Sequence, residues 1–531
     1  MLSPVTSTSM TRTRRGDARA GARGSAASGR RPAATLPEPD LGPVDTLRGW
    51  VATVVVALFA LVTRFWALTS ATDKGTPIFD EKHYAPQSFN ISQLGIEENP
   101  AYGLVVHPPV AKQIESLGGF LFGYTPMGWR FTAAICGTIL VVLVVRIVRR
   151  LTRSTQLGVL AGILLCCDGV TFVTSRIGML DIYQVLFVVA AAGALLVDRD
   201  QMRERMHVAA LAGRHLASDL GPRLGFRWWR FTAGVMLGLA TGVKWSGLYF
   251  IAFFGVLSVC WDLALRRRYG VRRPVLGTLA RDCVPAFLSL VVWALVVYLF
   301  TWLPWFADEN AVYRHVVGTK VPADPGFPGS LLPDSVRSWI YYQQSVLDFH
   351  SSLTTSAGNR HPWESKPFAW PMSLRPMMYY IEQGQGVTGC GEDSCVRAIM
   401  LNGTPAMWWL AVPVLGWAFW RAVICRDGRY AFALTGYAAG YLPWFAGFDR
   451  QMYFFYATVM APFFVMMIVL ALGEIAGRAT DTPRRRQLGL AVVCVYTGLV
   501  VANFAFMWPT LVGSPLTQQE WANQLWLPSW K

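Results

Sequence analysis

Long apolar runs alternate along the chain with short polar connections rich in arginine. Runs of roughly 17 to 23 residues lie near 50–70, 127–148, 156–174, 180–197, 231–247, 248–265, 283–303, 406–424, 430–447, 451–473 and 487–508. At a rise of about 1.5 Å per residue, about 20 apolar residues cross a hydrocarbon core about 30 Å thick, so each run predicts a transmembrane helix, about eleven in all. Residues 231–265 have almost no polar break. A single helix there would be about 52 Å long, so Gly242, Lys244 and Gly247 predict a hairpin of two spans.

The arginines orient this bundle. With the N-terminus inside, Arg149 and Arg150 and the clusters at 199–230, 266–281, 421–429 and 478–486 all fall in cytoplasmic loops, as the positive-inside rule requires. Merging the hairpin would place the later clusters outside. The expectation is a multi-pass plasma-membrane protein with a cytoplasmic N-terminus and an extracytoplasmic C-terminus. Its outer segments are then 71–126, turns at 175–179 and near 247, the long loop 304–405, a turn at 448–450 and the tail 509–531. The first and longest of these are where chemistry on exported material is expected, since loops on a rigid scaffold carry function.

Composition agrees: of 531 residues 53% are hydrophobic and 15% charged, with a mean hydropathy of +0.35. The net charge of +16 lies in clusters between apolar runs and not along one soluble face, which argues for topology signals and against nucleic acid as a partner. Residues 1–45, rich in Arg, Ala, Gly, Ser and Pro, predict a disordered cytoplasmic tail ahead of a membrane domain at 46–531. They lack the apolar centre of a signal peptide.

The first outer loop contains FDEKHYAPQ, in which Asp80 and Glu81 are adjacent. Neighbouring side chains diverge, so one carboxylate could act as a base while the other orients the site, although an ordinary hydrated loop also fits. In HPPVAKQ, His107 and Lys112 flank Pro108 and Pro109, with Pro109 at the expected start of an interfacial helix. Cations also stand where topology disfavours them: Arg64 in the first span, Arg130 at the outer end of the second, Arg176 and Arg450 in outer turns, and Lys244 within the hairpin. Snorkelling explains each alone, but together they suit an anionic ligand at the membrane surface, such as a lipid phosphate. Asp181 in SRIGMLD reads either as a helix cap or as an ion-pair partner of Arg176.

The segment HPWESKPFAWPMSLRPMMYY in the long outer loop reads as an aromatic belt on the bilayer or as a groove for an extended peptide. Cys390 and Cys395 share that loop, where an oxidising environment predicts a disulfide. No zinc-ligand spacing, Walker loop, dinucleotide fingerprint or nucleophile elbow is present.

As an ordered set, FDEKHYAPQ, HPPVAKQ, WRFTAAICG, SRIGMLDIYQVLF, GLATGVKWSGLYF and RQMYFFYATVMAPFF resemble the protein O-mannosyltransferase family, from about residue 50 to the end. The resemblance implies an all-α polytopic membrane protein with a GT-C type glycosyltransferase fold, a polyprenyl-phosphate-mannose donor, Ser/Thr hydroxyls of exported polypeptides as acceptors, met at the Sec translocon, and inversion at the sugar carbon. It makes Asp80 the catalytic base and Glu81 its essential neighbour. Arg64 and Arg130 match family arginines that serve the site, while His107, Lys112, Arg176, Asp181, Lys244 and Arg450 become donor-side residues. The long outer loop is too short for the β-trefoil of eukaryotic members, so the bacterial, actinobacterial-type branch is implied.

Such chemistry needs few parts. A polyprenyl phosphate leaves without a proton, so one base and cations on the phosphate suffice, with or without a divalent ion. A related transferase acting on a glycolipid or cell-wall polysaccharide would use the same parts, and a secondary transporter would show inverted repeats.

Overall fold

The computed structural model describes residues 46–98, 106–358, 361–478 and 480–531. The expected disordered tail lies outside the described residues. The described structure is mostly helical, its main helices being, in order, α1 Leu47–Phe65, α2 Glu81–Leu94, α3 Val110–Phe122, α4 Pro126–Thr152, α5 Thr155–Cys166, α6 Gly169–Thr174, α7 Asp181–Leu211, α8 Trp228–Val243 and α9 Gly247–Arg268. Then follow α10 Pro274–Phe300, α11 Asp334–Ser352, α12 Ala411–Val423, α13 Gly428–Tyr441, α14 Ala461–Ala476, α15 Pro483–Val512 and α16 Gln518–Gln524.

All eleven apolar runs contain helix, but six helices (α1, α4, α7, α9, α10 and α15) are long and apolar enough to cross a membrane, and α5, α12 and α14 are shorter. Local chemistry sets many boundaries. Thr46, Thr125 and Ser154 accept hydrogen bonds from first-turn amides of α1, α4 and α5, satisfying amides that the helix leaves unpaired. The expected hairpin is present: Lys244 is extended between α8 and α9, and Gly247 packs so closely on Thr241 that a Cβ would stand 2.6 Å from its backbone nitrogen. The run at 156–174 is not one helix. Asp168 breaks it by capping α6 through the Thr171 amide at 2.9 Å, and it also accepts the Trp408 indole N–H at 2.7 Å.

The core runs between α4 and α7, where Val141, Val144, Leu164, Val188, Phe463 and Met466 are fully buried. Of the apolar stretch of α7, 72% is buried, against 22% for α10 and α15, which therefore present most of their surface outward as lipid-facing helices do.

The long loop at 304–405 carries structure that the apolar pattern does not signal. Strands β1 Met377–Gly384 and β2 Cys395–Leu401 pair antiparallel, the Cys390–Cys395 disulfide ties the connection between them to the first residue of β2, and β3 Pro515–Thr517 from the C-terminal tail adds on β2. The expected bilayer-surface belt is instead folded inward, with Trp370 and Met377 fully buried in the core. Segments assigned to the outside meet at one end: Arg130 reaches Glu81, Arg450 reaches His350, and β3 reaches β2. Segments assigned to the inside meet at the other, through Arg150–Asp200, Arg227–Asp198, Arg266–Asp282 and Arg421–Glu474.

Helices α3 and α4 are joined by a tight turn, so close that a Cβ on Gly118 would stand 2.1 Å from the Gly128 carbonyl oxygen. Gly118→Ala must therefore push the two helices apart, at about 1–3 kcal/mol. A lowered melting temperature is expected, whereas Gly255→Ala on α9, where nothing lies within 4 Å, should leave it unchanged or slightly raised.

Candidate active site

The end of the bundle where Arg130 reaches Glu81 is organised about the turn that starts α2. Phe79 adopts φ +47°, a left-handed conformation that costs energy for a side chain of this size. The turn is held from the next residue but one: the Glu81 carboxylate accepts the Ile78 amide at 3.0 Å and the Gly178 amide at 2.9 Å. Arg130 clamps the same carboxylate bidentately, through Nε at 2.7 Å and Nη2 at 2.9 Å, and donates its Nη1 to the Leu68 carbonyl at 2.9 Å. Both side chains are buried, Glu81 at 0% and Arg130 at 1% exposure, so the pair depends on this full set of partners.

With Glu81 turned inward, Asp80 points elsewhere, as adjacent side chains must. Among the described residues no donor engages its carboxylate, which leaves both oxygens open. Burial pushes its pKa up to about 6; the Lys244 charge works against that rise and Asp181 adds to it.

Lys244 and Asp181, whose charges act on Asp80, belong to the wall of a cavity of about 260 Å³, whose polar lining also includes His107, His350 and Arg450. Lys244 Nζ donates to Asp181 Oδ1 at 2.8 Å, while Asp181 Oδ2 is buried without a partner. Gln184 holds the turn carrying Lys244 by donating to its carbonyl at 3.1 Å and to Ser246 at 2.9 Å. The Arg450 guanidinium lies 5.7 Å from the Trp444 ring and 5.9 Å from that of Tyr456, and donates to His350 Nδ1 at 3.1 Å. His350 Nε2 therefore carries the proton and donates to the Val106 carbonyl at 2.9 Å. Desolvation and the neighbouring Arg450 bring His350 down to about 4, and desolvation, Lys244 and His350 hold His107 well below its usual range. Both rings are neutral at pH 7. The cationic charge of the cavity thus resides on Lys244 and Arg450.

The residues singled out from sequence separate into three groups. His107, Asp181, Lys244 and Arg450 line the cavity, and Asp80 lies close enough to Lys244 and Asp181 to feel their charges. Glu81 and Arg130 form the brace behind it, so the guanidinium grouped with the phosphate-binding cations is already engaged by a carboxylate. Three more lie apart: Arg176 donates to the carbonyls of Thr63 at 3.1 Å and Arg64 at 2.7 Å, closing the C-terminal end of α1; Lys112 is buried against Glu97; and Arg64 is buried in the bundle beside Cys166. Asp181 pairs with Lys244 and not, as one reading had it, with Arg176. Among the described residues no group of three or more His, Cys, Asp or Glu is placed to hold a metal ion.

Sequence reasoning missed His350, Tyr456 and Glu115. His350 and Tyr456 complete the cavity wall. Glu115, on α3, accepts from Ser88 at 3.0 Å and is raised by burial to about 8, with the charge of Glu81 adding to the rise. It is therefore mainly protonated at neutral pH, and no motif advertises a lone buried carboxyl.

The helical bundle, six of whose helices are long and apolar enough to cross a membrane, carries its candidate site at one end, as a membrane-embedded glycosyltransferase does. The backbone matches the structure of the Saccharomyces cerevisiae protein O-mannosyltransferase Pmt1-Pmt2 complex bound to the sugar donor, with a TM-score of 0.70 over 92% of this chain and 93% of that one at 15% identity. Residues 106–218 match the dolichyl-phosphate-mannose-protein mannosyltransferase family, and residues 335–530 match the C-terminal four TMM region of protein-O-mannosyltransferase. The polyprenol-phosphate-mannose–protein mannosyltransferase of Mycobacterium tuberculosis is 58% identical over 501 residues, covering 94% of this chain and 95% of its own length. That of Corynebacterium glutamicum is 50% identical over 484 residues, with 90% and 92% covered. The chain belongs to the protein O-mannosyltransferase family.

Two substitutions test the brace. Glu81→Gln strands the buried Arg130 charge, a loss of about 3–5 kcal/mol, and should lower the melting temperature together with activity. Glu115→Gln keeps a neutral hydrogen-bonding group of the same shape, so it should remove the fall in stability that wild type shows as pH rises from 4.5, where the unfolded chain ionises, to about 8, and any loss of activity above about 8, where Glu115 ionises beside Glu81 in the folded protein.

Proposed function

We propose that this protein transfers mannose from polyprenyl-phosphate-mannose to serine or threonine hydroxyls of exported polypeptides at the outer face of the plasma membrane, with inversion. The observation that carries the reading is the Asp80 carboxylate, without a donor among the described residues and within electrostatic reach of Lys244, which with Arg450 supplies the cations of the cavity. Sequence similarity to relatives named for this donor and for protein acceptors supports it.

Asp80 takes the proton of the acceptor hydroxyl as its oxygen bonds to the mannose C1. The bond from C1 to the phosphate oxygen breaks on the opposite side, and the electron pair leaves with the polyprenyl phosphate. Lys244 and Arg450 meet the charge gathering on that phosphate, in a pocket where aromatic rings exclude water and strengthen the attraction. Asp181 holds Lys244, and Gln184 holds the turn that carries it. Neutral His350 steers Arg450, while neutral His107 lines the wall. Glu81, Arg130 and Arg176 act from behind, as positioning residues.

The arginine-rich end of the bundle is assigned to the cytoplasm, which places the N-terminus inside and the tail carrying β3 and α16 outside. That orientation suits a lipid-linked donor, because nucleotide sugars are not available beyond the membrane. Incubation with labelled polyprenyl-phosphate-mannose tests the acceptor: label in a Ser/Thr-rich peptide is expected. Label confined to glycolipid would assign the alternative transferase activity, and solute movement without a covalent product would indicate a transporter.

Asp80→Asn preserves size and hydrogen bonding but removes the base, so transfer should fall by at least about 100- to 10,000-fold with the melting temperature unchanged. A base with a pKa of about 6 works when ionised. The wild-type rate should therefore rise with pH through a midpoint near 6 and fall about tenfold per unit below it. Activity of Asp80→Asn within about tenfold of wild type would reject the assignment.

A further inference from the structure

Arg450 stands in an irregular turn, 448–452, between α13 and α14. No helix fixes the direction in which its side chain leaves the backbone. Two segments of the long outer loop do so instead. One follows α11: the Thr355 amide donates to the Asp449 carbonyl at 2.7 Å, the Ser356 amide to the Asp449 carboxylate at 3.1 Å, and the Gln451 amide to the Leu353 carbonyl at 2.9 Å. The other is HPWESK, residues 361–366, in which the Ser365 amide donates to the Met452 carbonyl at 2.8 Å.

Lys366 ties these pieces together. Its Nζ donates to the Arg450 carbonyl at 2.8 Å, to the Phe448 carbonyl at 3.0 Å and to the Thr355 hydroxyl at 3.0 Å, and it lies 2.7 Å from the Glu364 carboxylate. The Thr355 hydroxyl in turn donates to Glu364 at 2.8 Å. An ammonium has three protons, and all three are engaged here, so Lys366 has none left for a phosphate. The pair is shielded from most of the solvent, with side-chain exposures of 18% for Lys366 and 14% for Glu364. Carbonyls on both sides of Asp449 turned to one ammonium fix the backbone of the turn, and with it the line along which the Arg450 side chain departs. At its other end the guanidinium donates to His350 on α11, while its buried Nε has no partner among the described residues. Backbone and head are thus held by the same loop, and a donor is left over for a ligand.

We propose that Lys366 and Glu364 are positioning residues for the donor phosphate: they set the turn that aims Arg450 into the cavity and touch no substrate themselves. The inference rests on the assignment of Arg450 to that phosphate. It gives HPWESK a use different from a bilayer belt or a peptide groove.

Steady-state transfer by the full chain in phosphatidylcholine nanodiscs, with each substrate varied in turn, tests the assignment. Lys366→Met keeps the apolar stem and removes the three donors. It should raise the apparent KM for polyprenyl-phosphate-mannose about tenfold and leave that for a Ser/Thr-rich peptide within about twofold of wild type. Loss of folded enzyme alone would lower turnover and leave both KM values where they were. Arg450→Gln should raise the donor KM at least as far. Lys366→Met/Arg450→Gln should then match Arg450→Gln, because a residue that acts only through Arg450 has nothing left to aim. Glu364→Gln keeps its hydrogen bonds to Thr355 and Lys366, and so folds as wild type does, but removes the counter-charge; it should raise the donor KM by a smaller factor, about threefold. A donor KM unmoved in both Lys366→Met and Glu364→Gln while Arg450→Gln raises it, or additive effects in the double variant, would overturn the inference. A donor KM unmoved in Arg450→Gln itself would overturn the phosphate assignment on which the inference rests.

Discussion

The buried pair of Glu81 and Arg130 is the constraint on which the outer end of the molecule depends. Taking two charges out of water is repaid only when the geometry is good and further hydrogen bonds are made, and here they are: Glu81 takes two backbone amides besides the bidentate guanidinium, and each of the three nitrogens of Arg130 donates to Glu81 or to a backbone carbonyl. Those contacts draw together the first outer loop, the start of α4 and the turn before α7, three segments with no local reason to meet. Asp80 inherits its place from this knot. It follows a strained Phe79 and precedes a residue locked inward, so its own carboxylate is left without a hydrogen-bond donor among the described residues.

A second division of labour runs through the cations. Arginine serves where several carbonyls or a carboxylate must be engaged at fixed angles, as at Arg130 and Arg176. At the cavity, Lys244 is held by one carboxylate from below and by the rings of Phe455 and Tyr456 at 5.4 and 5.9 Å. Arg450 is similarly flanked by indole and phenol rings. Cations placed against aromatic faces keep their charge directed while retaining donors for a ligand. Neutral histidines in the same wall add hydrogen-bonding shape without adding charge.

Much of this could be read along the chain, and the parts that could not share a cause. The apolar runs located the helical segments, and the glycines around Lys244 revealed the break between α8 and α9, because both signals are local. Asp168 was overlooked as a helix breaker: one carboxylate in an apolar run carries no periodicity, and its partner Trp408 lies 240 residues away. The β-sheet was equally hidden, since its third strand has three residues and comes from the C-terminal tail. FDEKHYAPQ pointed to Asp80 and Glu81, and the misplaced cations pointed to an anion. Which cation belonged to which role depended on contacts 49, 63 and 112 residues apart, between Arg130 and Glu81, Lys244 and Asp181, and Arg176 and Arg64. Spacing cannot encode these.

Helix α7 also acts as a gauge. It is one uninterrupted rod from Asp181 to Leu211, with a site residue fixed at one end and arginines near the other that cannot leave the interface without a large energetic cost. A rod of fixed length anchored at both surfaces must answer a thicker or thinner bilayer by tilting, since it cannot stretch, and tilt changes the height at which its first residue emerges. The height of Asp181, and with it that of the cavity it lines, is therefore coupled to acyl-chain length. A membrane that changes its lipid composition adjusts, through this helix, how deep the catalytic cavity sits.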